Sequence, residues 1–227
     1  MMRPAHSLLL LACLAFAAPR PVAAADEIAR ADEAVRVLEE IMRAPDRRLP
    51  DALLRDAEAV AVIPDVVKAG FVVGGRFGRG LVAVRAADGT WSNPSFVRIT
   101  GGSVGFQAGV QSTDVVLVFR TRRGVDSVVN GKFTLGADAA IAAGPVGRNA
   151  NASTDAQLKA EIYSYSRSRG LFAGVALDGA VLAIDHDANE AVFGANVTPR
   201  RIFEGGAGPA PDAVVRFRDA LEEFTAR

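Results

Sequence analysis

Hydrophobic residues recur at helical spacing at both ends of the chain. Between residues 26 and 43 apolar side chains stand three or four positions apart, and Pro45 follows the segment. Such a stripe predicts an amphipathic helix whose apolar face packs on a core. The same pattern predicts a short second helix over residues 50–57 and a last helix over residues 212–224. Helices are therefore expected at the N- and C-terminal ends of the fold.

The middle of the chain has a different pattern, in which short runs rich in β-branched residues are separated by Gly, Pro, Asp and Asn. This pattern predicts β-strands joined by short turns, and Asp88-Gly89 is a strong hairpin signal. No helical crossovers connect the runs, so antiparallel pairing is expected. The fold class is then α+β, with a largely antiparallel, glycine-rich β core. The predicted strands cover residues 59–63, 71–73, 81–84, 96–99, 115–119, 161–166, 171–177 and 180–184.

The first 25 residues have the layout of a secretory signal peptide. A short n-region with Arg3 precedes an apolar run, and small residues continue to Ala25. This layout predicts cleavage between Ala25 and Asp26, export to the periplasm, and one mature domain over residues 26–227. An alternative starts from Cys13, which follows Leu-Leu-Ala like the lipidated cysteine of a bacterial lipoprotein. In that case the protein is anchored to the membrane through Cys13.

The composition excludes several classes of protein. Half of the 227 residues are hydrophobic, which is typical of a packed globular chain and not of a disordered one. Basic and acidic residues both number 26, so a generically basic nucleic-acid binder is not expected. One cysteine and two histidines are too few for a cysteine- or histidine-based metal centre. No cofactor is expected either.

The balanced net charge conceals a division along the chain. Residues 26–58 carry ten acids against six bases, and residues 171–227 carry nine acids against five bases. Residues 60–170 carry thirteen bases against seven acids. One interpretation is that the acidic ends pack on the basic middle and neutralise it. The other is that the middle presents a basic face to an anionic partner.

Two motifs resemble catalytic or metal-binding sequences without their structural context. Residues 101–105 match G-x-S-x-G, so a serine hydrolase that uses Ser103 is an alternative function. That motif needs a helix directly after the serine, whereas the alternating residues that follow Ser103 predict a strand. Residues 185–189 resemble the start of a calcium loop but lack its later glycine and glutamate, so we interpret them as a polar turn that exposes His186. No catalytic residue or metal ligand is assigned.

Eight sequence blocks in a fixed order run through most of the mature chain. They are AVIP at 61–64, KAGFVVGG at 68–75, DGTWSNPSF at 88–96, GGSVGFQ at 101–107, QSTDVV at 111–116, KFTLGAD at 132–138, AAGPVGR at 142–148 and EIYSYSRSRGLFAG at 161–174. Together these blocks closely resemble the SYLF domain, and the similarity extends from about residue 57 to residue 194.

The resemblance implies a lipid-binding module without catalysis. Eukaryotic members of the family bind phosphoinositides and actin filaments, and bacterial members usually stand alone behind an export signal. The implied function is binding of anionic phospholipid or phosphoinositide-like head groups in the cell envelope; an alternative is an envelope scaffold that binds protein. Actin is not an expected partner of an exported bacterial chain. In the eukaryotic members a basic amphipathic segment before the domain supports lipid binding, whereas residues 26–43 here carry six acids against three arginines.

Six basic residues of the middle segment are the candidate ligands of a lipid head group. Each lies in or near a turn, where a side chain can reach outward and a phosphate can approach backbone N–H groups. Arginine suits bidentate phosphate contact and therefore carries more weight than lysine. The alternative is that these residues pair with the acidic terminal helices, and whether they share one face of the fold bears on the choice. The six are Lys68, Arg76, Arg79, Arg148, Arg167 and Arg169.

Overall fold

The computed structural model describes residues 20–44, 49–70, 73–104, 109–130, 132–144, 160–168, 171–174 and 177–226. Within these residues, helices flank a set of strands. The helices are α1 (Arg20–Arg43), α2 (Asp51–Arg55), α3 (Arg122–Val129), α4 (His186–Phe193), α5 (Pro199–Phe203) and α6 (Asp212–Thr225). The strands are β1 (Ala59–Gly70), β2 (Val73–Val84), β3 (Ser95–Val104), β4 (Gly109–Phe119), β5 (Lys132–Thr134), β6 (Ile141–Ala143), β7 (Ile162–Ser168), β8 (Leu171–Gly174) and β9 (Val181–Ile184).

The described strands form one curled, nine-stranded sheet. Its order is β5-β9-β3-β2-β1-β4-β7-β6, and β8 pairs with β7 beside this path. Neighbouring strands run antiparallel except β6 and β7, which are parallel. The outer edge of β7 is divided, because residues 162–164 pair with β6 and residues 165–168 pair with β8. The predicted α+β class with a largely antiparallel core is confirmed.

Both faces of the sheet are buried, which explains why its central strands are hydrophobic without alternation. In β1 every residue from 59 to 64 is buried. One face, called here the helical face, packs against α1, α2 and α6, with Leu38 and Phe217 fully buried between them. The opposite face, called the inner face, packs beneath α3 and the curled β5 and β9, around Phe119 and Phe133.

An irregularity in β1 separates a buried part of the sheet from an exposed part. The register of β1 against β4 shifts between Ile63 and Val66. Asp65 lies at this bulge with a φ of 49°, and its N–H donates a 3.0 Å hydrogen bond to Oδ1 of Asp114. Before the bulge β1 is buried, and beyond it most residues are half-buried or exposed. We call the part of the sheet beyond the bulge, residues 67–70, 74–77 and 110–112, the far end.

Glycines in β2 differ in how closely the neighbouring strand approaches them. A Cβ atom on Gly80, in the buried part, would lie 2.1 Å from the carbonyl oxygen of Val62, so a larger residue there would push β1 away from β2. A Cβ atom on Gly75, in the far end, would meet nothing within 4 Å. A Cβ atom on Gly74, also in the far end, would lie 2.3 Å from the carbonyl oxygen of Ala69, so close approach of the backbone occurs in both parts of the sheet.

Helix α1 starts at Arg20, before the new N-terminus that the sequence predicts at Asp26. Residues 1–19, with Cys13 among them, lie outside the described residues. Signal cleavage, periplasmic export and the lipoprotein alternative therefore stay predictions. Among the described helices, none combines the length and apolarity needed to cross a lipid bilayer.

The polar turn predicted at residues 185–189 is wrong, because Asp185 is the N-cap of α4. Its side chain accepts a 3.3 Å hydrogen bond from the N–H of Ala188, and His186 is exposed in the first turn of that helix. Thr121 and Thr198 cap α3 and α5 in the same way, and neither helix was predicted. Short polar side chains favour turns and helix starts alike, so in helices of eight residues or fewer the two are hard to distinguish by sequence.

Candidate functional site

The candidate basic residues do not share one face of the sheet. Along β2, odd-numbered residues belong to the core of the helical face and even-numbered residues to the inner face, as strand alternation requires. Arg76 therefore points to the inner face, as does Lys68, which lies directly opposite it on β1. Arg79 and Arg167 point to the helical face, beneath α1. The other two candidates, Arg148 and Arg169, lie outside the described residues.

Arg79 connects α1 to the start of α4. Its Nη1 lies 3.4 Å from Oε1 of Glu27, and its Nε lies 3.3 Å from Oδ2 of Asp185. The two carboxylate side chains are almost completely buried, with exposures of 6% and 1%. The contact between Nε of Arg79 and Oδ2 of Asp185 is electrostatic, because neither atom makes a hydrogen bond within the described part of the chain. The guanidinium of Arg79 thus compensates two buried negative charges.

Arg167 connects α1 to the other side of the sheet. Its Nε donates a 2.6 Å hydrogen bond to Oδ2 of Asp114 on β4, and its Nη1 contacts the carboxylate of Glu40 in α1. The Arg167 side chain is 14% exposed. Burial raises the pKa of Asp114 and is opposed by the hydrogen bond from the Asp65 N–H. Burial also lowers the pKa of Arg167, so burial disfavours the charged form of both groups and their ion pair offsets part of that cost.

Helix α1 is therefore bound to the sheet by both charge and packing. Its residues Ala31, Ala34, Val37, Leu38 and Ile41 are fully buried. Its acidic side chains supply partners for Arg79 and Arg167 on the helical face. These contacts agree with the interpretation in which an acidic end of the chain packs on the basic middle. Both the apolar face of α1 and acidic side chains of this helix are therefore engaged in contacts within the domain.

Lys68 and Arg76 stand opposite each other in the far end. They are Cα partners in the β1–β2 ladder, and within the described part of the chain neither forms an ion pair. Burial lowers the pKa of Arg76. Like charges directly across a ladder destabilise a sheet, so this pair costs stability unless an anion is bound between them. The arrangement provides two cationic donors for one anionic group.

The far end also exposes large apolar side chains on the helical face, beyond the reach of α1. Val67 is 39% exposed and faces Phe77, which is 49% exposed. Val110 of β4 is 76% exposed. No other large hydrophobic residue is exposed among the described residues. The far end therefore has apolar side chains on one face and two cations on the other.

The structure gives no catalytic context to Ser103. It pairs with Gly74 inside β3, and the strand continues to Val104, so Ser103 does not stand at a strand-to-helix turn. A hydrolase function is therefore not proposed. Across the described residues, no cluster of His, Cys, Asp and Glu could hold a metal ion.

These features define a class of protein, an α+β domain with paired terminal helices and an exposed, amphipathic end of its sheet. Residues 100–224 match the model of a family described as Ysc84, Las17-binding protein actin regulator. The chain belongs to this Ysc84 or SYLF family, so the predicted family is confirmed.

Curated relatives of this chain are longer proteins that match it over part of their length. An SH3 domain-containing protein of Schizosaccharomyces pombe is 42% identical over 69% of this chain and 37% of its own length. LAS seventeen-binding protein 3 of Saccharomyces cerevisiae is 37% identical over 76% of this chain and 38% of its own length. SH3 domain-containing YSC84-like protein 1 of Homo sapiens is 33% identical over 91% of this chain and 61% of its own length. The chain thus spans less than two thirds of each of these relatives.

Neither the ion pairs between α1 and the sheet nor the exposed apolar side chains of the far end were predicted from the sequence. The partners Glu27 and Glu40 come from a helix distant in sequence from the arginines that they bind. Val67 and Phe77 are exposed because α1 does not extend over this part of the sheet. The sequence segments in which they lie are typical of a buried strand, so they did not indicate this exposure. The available signal was the excess of acids in residues 26–58, for which ion pairing with the basic middle was one of two interpretations, without named partners.

Proposed function

We propose that this protein is a lipid-binding module that binds anionic membrane surfaces through the far end of its sheet. The observation that carries this proposal is the facing pair of Lys68 and Arg76, which has no carboxylate partner among the described residues. A phospholipid or phosphoinositide head group supplies the missing anion. Arginine holds phosphate with a planar, bidentate fork, and lysine contributes a point charge.

The exposed apolar side chains give the same surface a second contribution. Since the far end is a narrow end of the sheet, it meets a membrane edge-on, and both faces contact the lipid interface together. Phe77, Val67 and Val110 then enter the boundary between head groups and acyl chains. Lys68 and Arg76 remain at the level of the phosphates, with their aliphatic stems along the apolar layer.

Of the six basic residues that the sequence suggested as head-group ligands, not all are proposed to bind lipid. Lys68 and Arg76 are retained, whereas Arg79 and Arg167 hold α1 on the sheet and are assigned a structural role. Arg148 and Arg169 stay predictions as head-group ligands. Helix α1 is not proposed as the membrane contact, because its apolar face is already buried in the domain.

The site of action that we propose is the cell envelope, and this rests on the predicted export signal. Intact-mass measurement of the processed protein tests it. A chain beginning at Asp26 is expected, and a diacylglycerol on Cys13 would identify a lipoprotein instead. Because export separates a bacterial chain from actin, actin is not proposed as a partner although the family description names actin regulation.

A second candidate function is protein binding at the same surface. Las17 binding is part of the name of the yeast relative, and exposed Phe77 and Val67 would suit an apolar protein partner as well. The unpaired cations favour the lipid surface, since a membrane presents many phosphates at one level. An envelope scaffold is the alternative outcome of a vesicle-binding experiment.

Co-sedimentation with vesicles tests the lipid proposal. The protein should bind phosphatidylglycerol vesicles, bind phosphatidylcholine vesicles weakly, and lose affinity as salt screens the contact over about 8–10 Å. Replacing Lys68 and Arg76 together by Gln should weaken binding roughly 25-fold, at about 1 kcal/mol for each charge near an anionic surface.

The matched control removes two exposed arginines elsewhere. Arg55→Gln with Arg123→Gln makes the same change in net charge away from the far end and should bind like the unmodified protein. Phe77→Ser should weaken binding in a way that salt does not reproduce. Equal binding to both vesicle types, or undiminished binding by the Lys68/Arg76 variant, would disprove the proposal.

A further inference from the structure

A second concave site lies at the other end of β2, away from the far end. Helices α3 and α5 and the last residue of β2 enclose a cleft of about 350 Å³ that is partly open to solvent. This volume is within the range of small-molecule sites, which begins at roughly 300 Å³. The floor of the cleft is apolar and consists of Val84, Val125, Val129 and Phe203.

A narrow apolar void lies behind the floor of this cleft. The same four apolar residues also line this void, whose other walls come from the inner-face core, namely Ala59, Val82, Phe119 and Val128. The void has no room for a water molecule. The side chains that border such a dry apolar void lack packing contacts on one side.

The rim of the cleft is cationic. Arg85, Arg122 and Arg200 face two carboxylates, Asp126 and Glu204, so positive charge is in excess. Arg85 is fully engaged, because its three donor nitrogens bind the carbonyl oxygens of residues 54, 57 and 89.

The other two arginines of the rim differ in the contacts that their guanidinium groups make. Arg122 donates from Nη1 to the Arg85 carbonyl oxygen at 2.9 Å, and its Nε lies 3.4 Å from Glu58. Arg200 is exposed and forms no ion pair within the described chain. Arg200 is therefore the cation of the rim that is available to a ligand.

We propose that this cleft binds one single-chain amphiphile with an anionic head. The head group pairs with Arg200, assisted by the free nitrogen of Arg122, and the acyl chain lies on Val84, Val125, Val129 and Phe203. Such a ligand is either a free fatty acid or a lysophospholipid, since both combine one chain with an anion. This site is independent of the membrane surface proposed above, because it lies at the opposite end of β2 and holds a single molecule.

Titration calorimetry with octanoate, decanoate and dodecanoate, each kept monomeric, tests this site. Affinity should rise about fourfold for each methylene that is buried and then level off when the cleft is full. Decyltrimethylammonium, with the same chain length as decanoate and the opposite charge, should not bind. The fluorescence of Trp91, the single tryptophan, gives a second readout because the Arg85 guanidinium lies 4.5 Å from its ring. Lysophosphatidylglycerol with a twelve-carbon chain separates the two sources of the ligand by relative affinity.

Variants assign the binding to the cleft. Arg200→Gln should weaken dodecanoate binding about tenfold through loss of a charged hydrogen bond. Val129→Phe should abolish it by filling the floor. Arg123→Gln is the matched control, since Arg123 is on α3 beside Arg122 but does not line the cleft. The Lys68/Arg76 double variant should also bind dodecanoate normally.

The outcomes are distinct from those of the membrane experiment. Affinity that does not depend on chain length, or equal binding of the cationic amphiphile, would overturn the cleft proposal. It is also overturned if Arg200→Gln and Val129→Phe both bind as the unmodified protein does while remaining folded by circular dichroism. None of these results bears on vesicle binding by the far end.

Discussion

Arg76 and Arg79 stand three positions apart on β2, one in the far end and the other beneath α1. Each has a cation as a Cα partner in its ladder, Arg98 for Arg79 and Lys68 for Arg76. Arg79 also contacts two buried carboxylates, from α1 and from the cap of α4, whereas Arg76 forms no ion pair within the described residues. Both arginines have glycine neighbours in sequence and both looked equally suited to bind phosphate. The role of a basic residue in this strand is therefore set by what covers its face of the sheet.

The part of the sheet that α1, α2 and α6 cover, called here the covered part, also differs from the far end in its apolar side chains. Phe217 of α6 is fully buried on the helical face, and Phe77 on the same face is 49% exposed. In the covered part, burial of apolar side chains stabilises the fold. In the far end, the exposed apolar side chains do not contribute to the stability of the isolated domain. Stability and binding are thus assigned to different parts of one sheet.

The largest expected effect comes from shortening one phenylalanine in each part. Phe217→Ala should lower the free energy of unfolding by about 3–5 kcal/mol, because it leaves a cavity in a closed core. Phe77→Ala should change it by less than about 0.5 kcal/mol, since that ring is half in solvent. Urea denaturation followed by circular dichroism measures both. Similar losses for the two variants would show that the far end packs as tightly as the covered part.

A smaller effect is expected from the two classes of arginine. Arg167→Gln leaves Asp114 without its hydrogen-bonded cation and leaves Glu40 paired with Arg36 alone. It should cost about 2–3 kcal/mol, below the range of a fully dry pair because the site is partly exposed. Arg76→Gln should leave stability unchanged or raise it slightly by removing the repulsion with Lys68. Chemical denaturation again gives the measurement. If Arg76→Gln proved the more damaging change, the assignment of the two arginines would have to be reversed.

The smallest effect concerns alkaline pH and the covered part. Burial, with a contribution from Tyr163, raises the pKa of the Tyr165 phenol above its ordinary value. The folded state therefore holds this proton more tightly than the unfolded state does. Stability from Tyr165 is fully present below the unfolded pKa of about 10 and is lost as pH rises above it, by at most about 1.4 kcal/mol per pH unit.

Tyr165→Phe removes this titration and should flatten the decline of stability above pH 10. Denaturation midpoints of the two proteins between pH 8 and pH 11 give the comparison. Parallel pH profiles for the variant and the unmodified protein would contradict a buried, neutral phenol beneath α1.

The pattern of residues along the chain determined the fold class and the family. Period 3.6 at both ends and β-branched runs between them are local properties, so they predicted the terminal helices and the central strands directly. The ordered blocks from residue 61 to residue 174 identified the SYLF domain for the same reason. The acidic balance of residues 26–58 was compatible with packing of the N-terminal end on the basic middle, which was one of two interpretations.

Only the tertiary structure decided which residues are available to a partner. Whether Arg76 or Arg79 is neutralised depends on Glu27 and Asp185, which are far away in sequence and are brought together by the crossing of α1 over the sheet. The exposure of Phe77 depends on where that crossing ends. Such facts depend on long-range packing, whereas sequence periodicity reports which way a side chain points and not what lies above it.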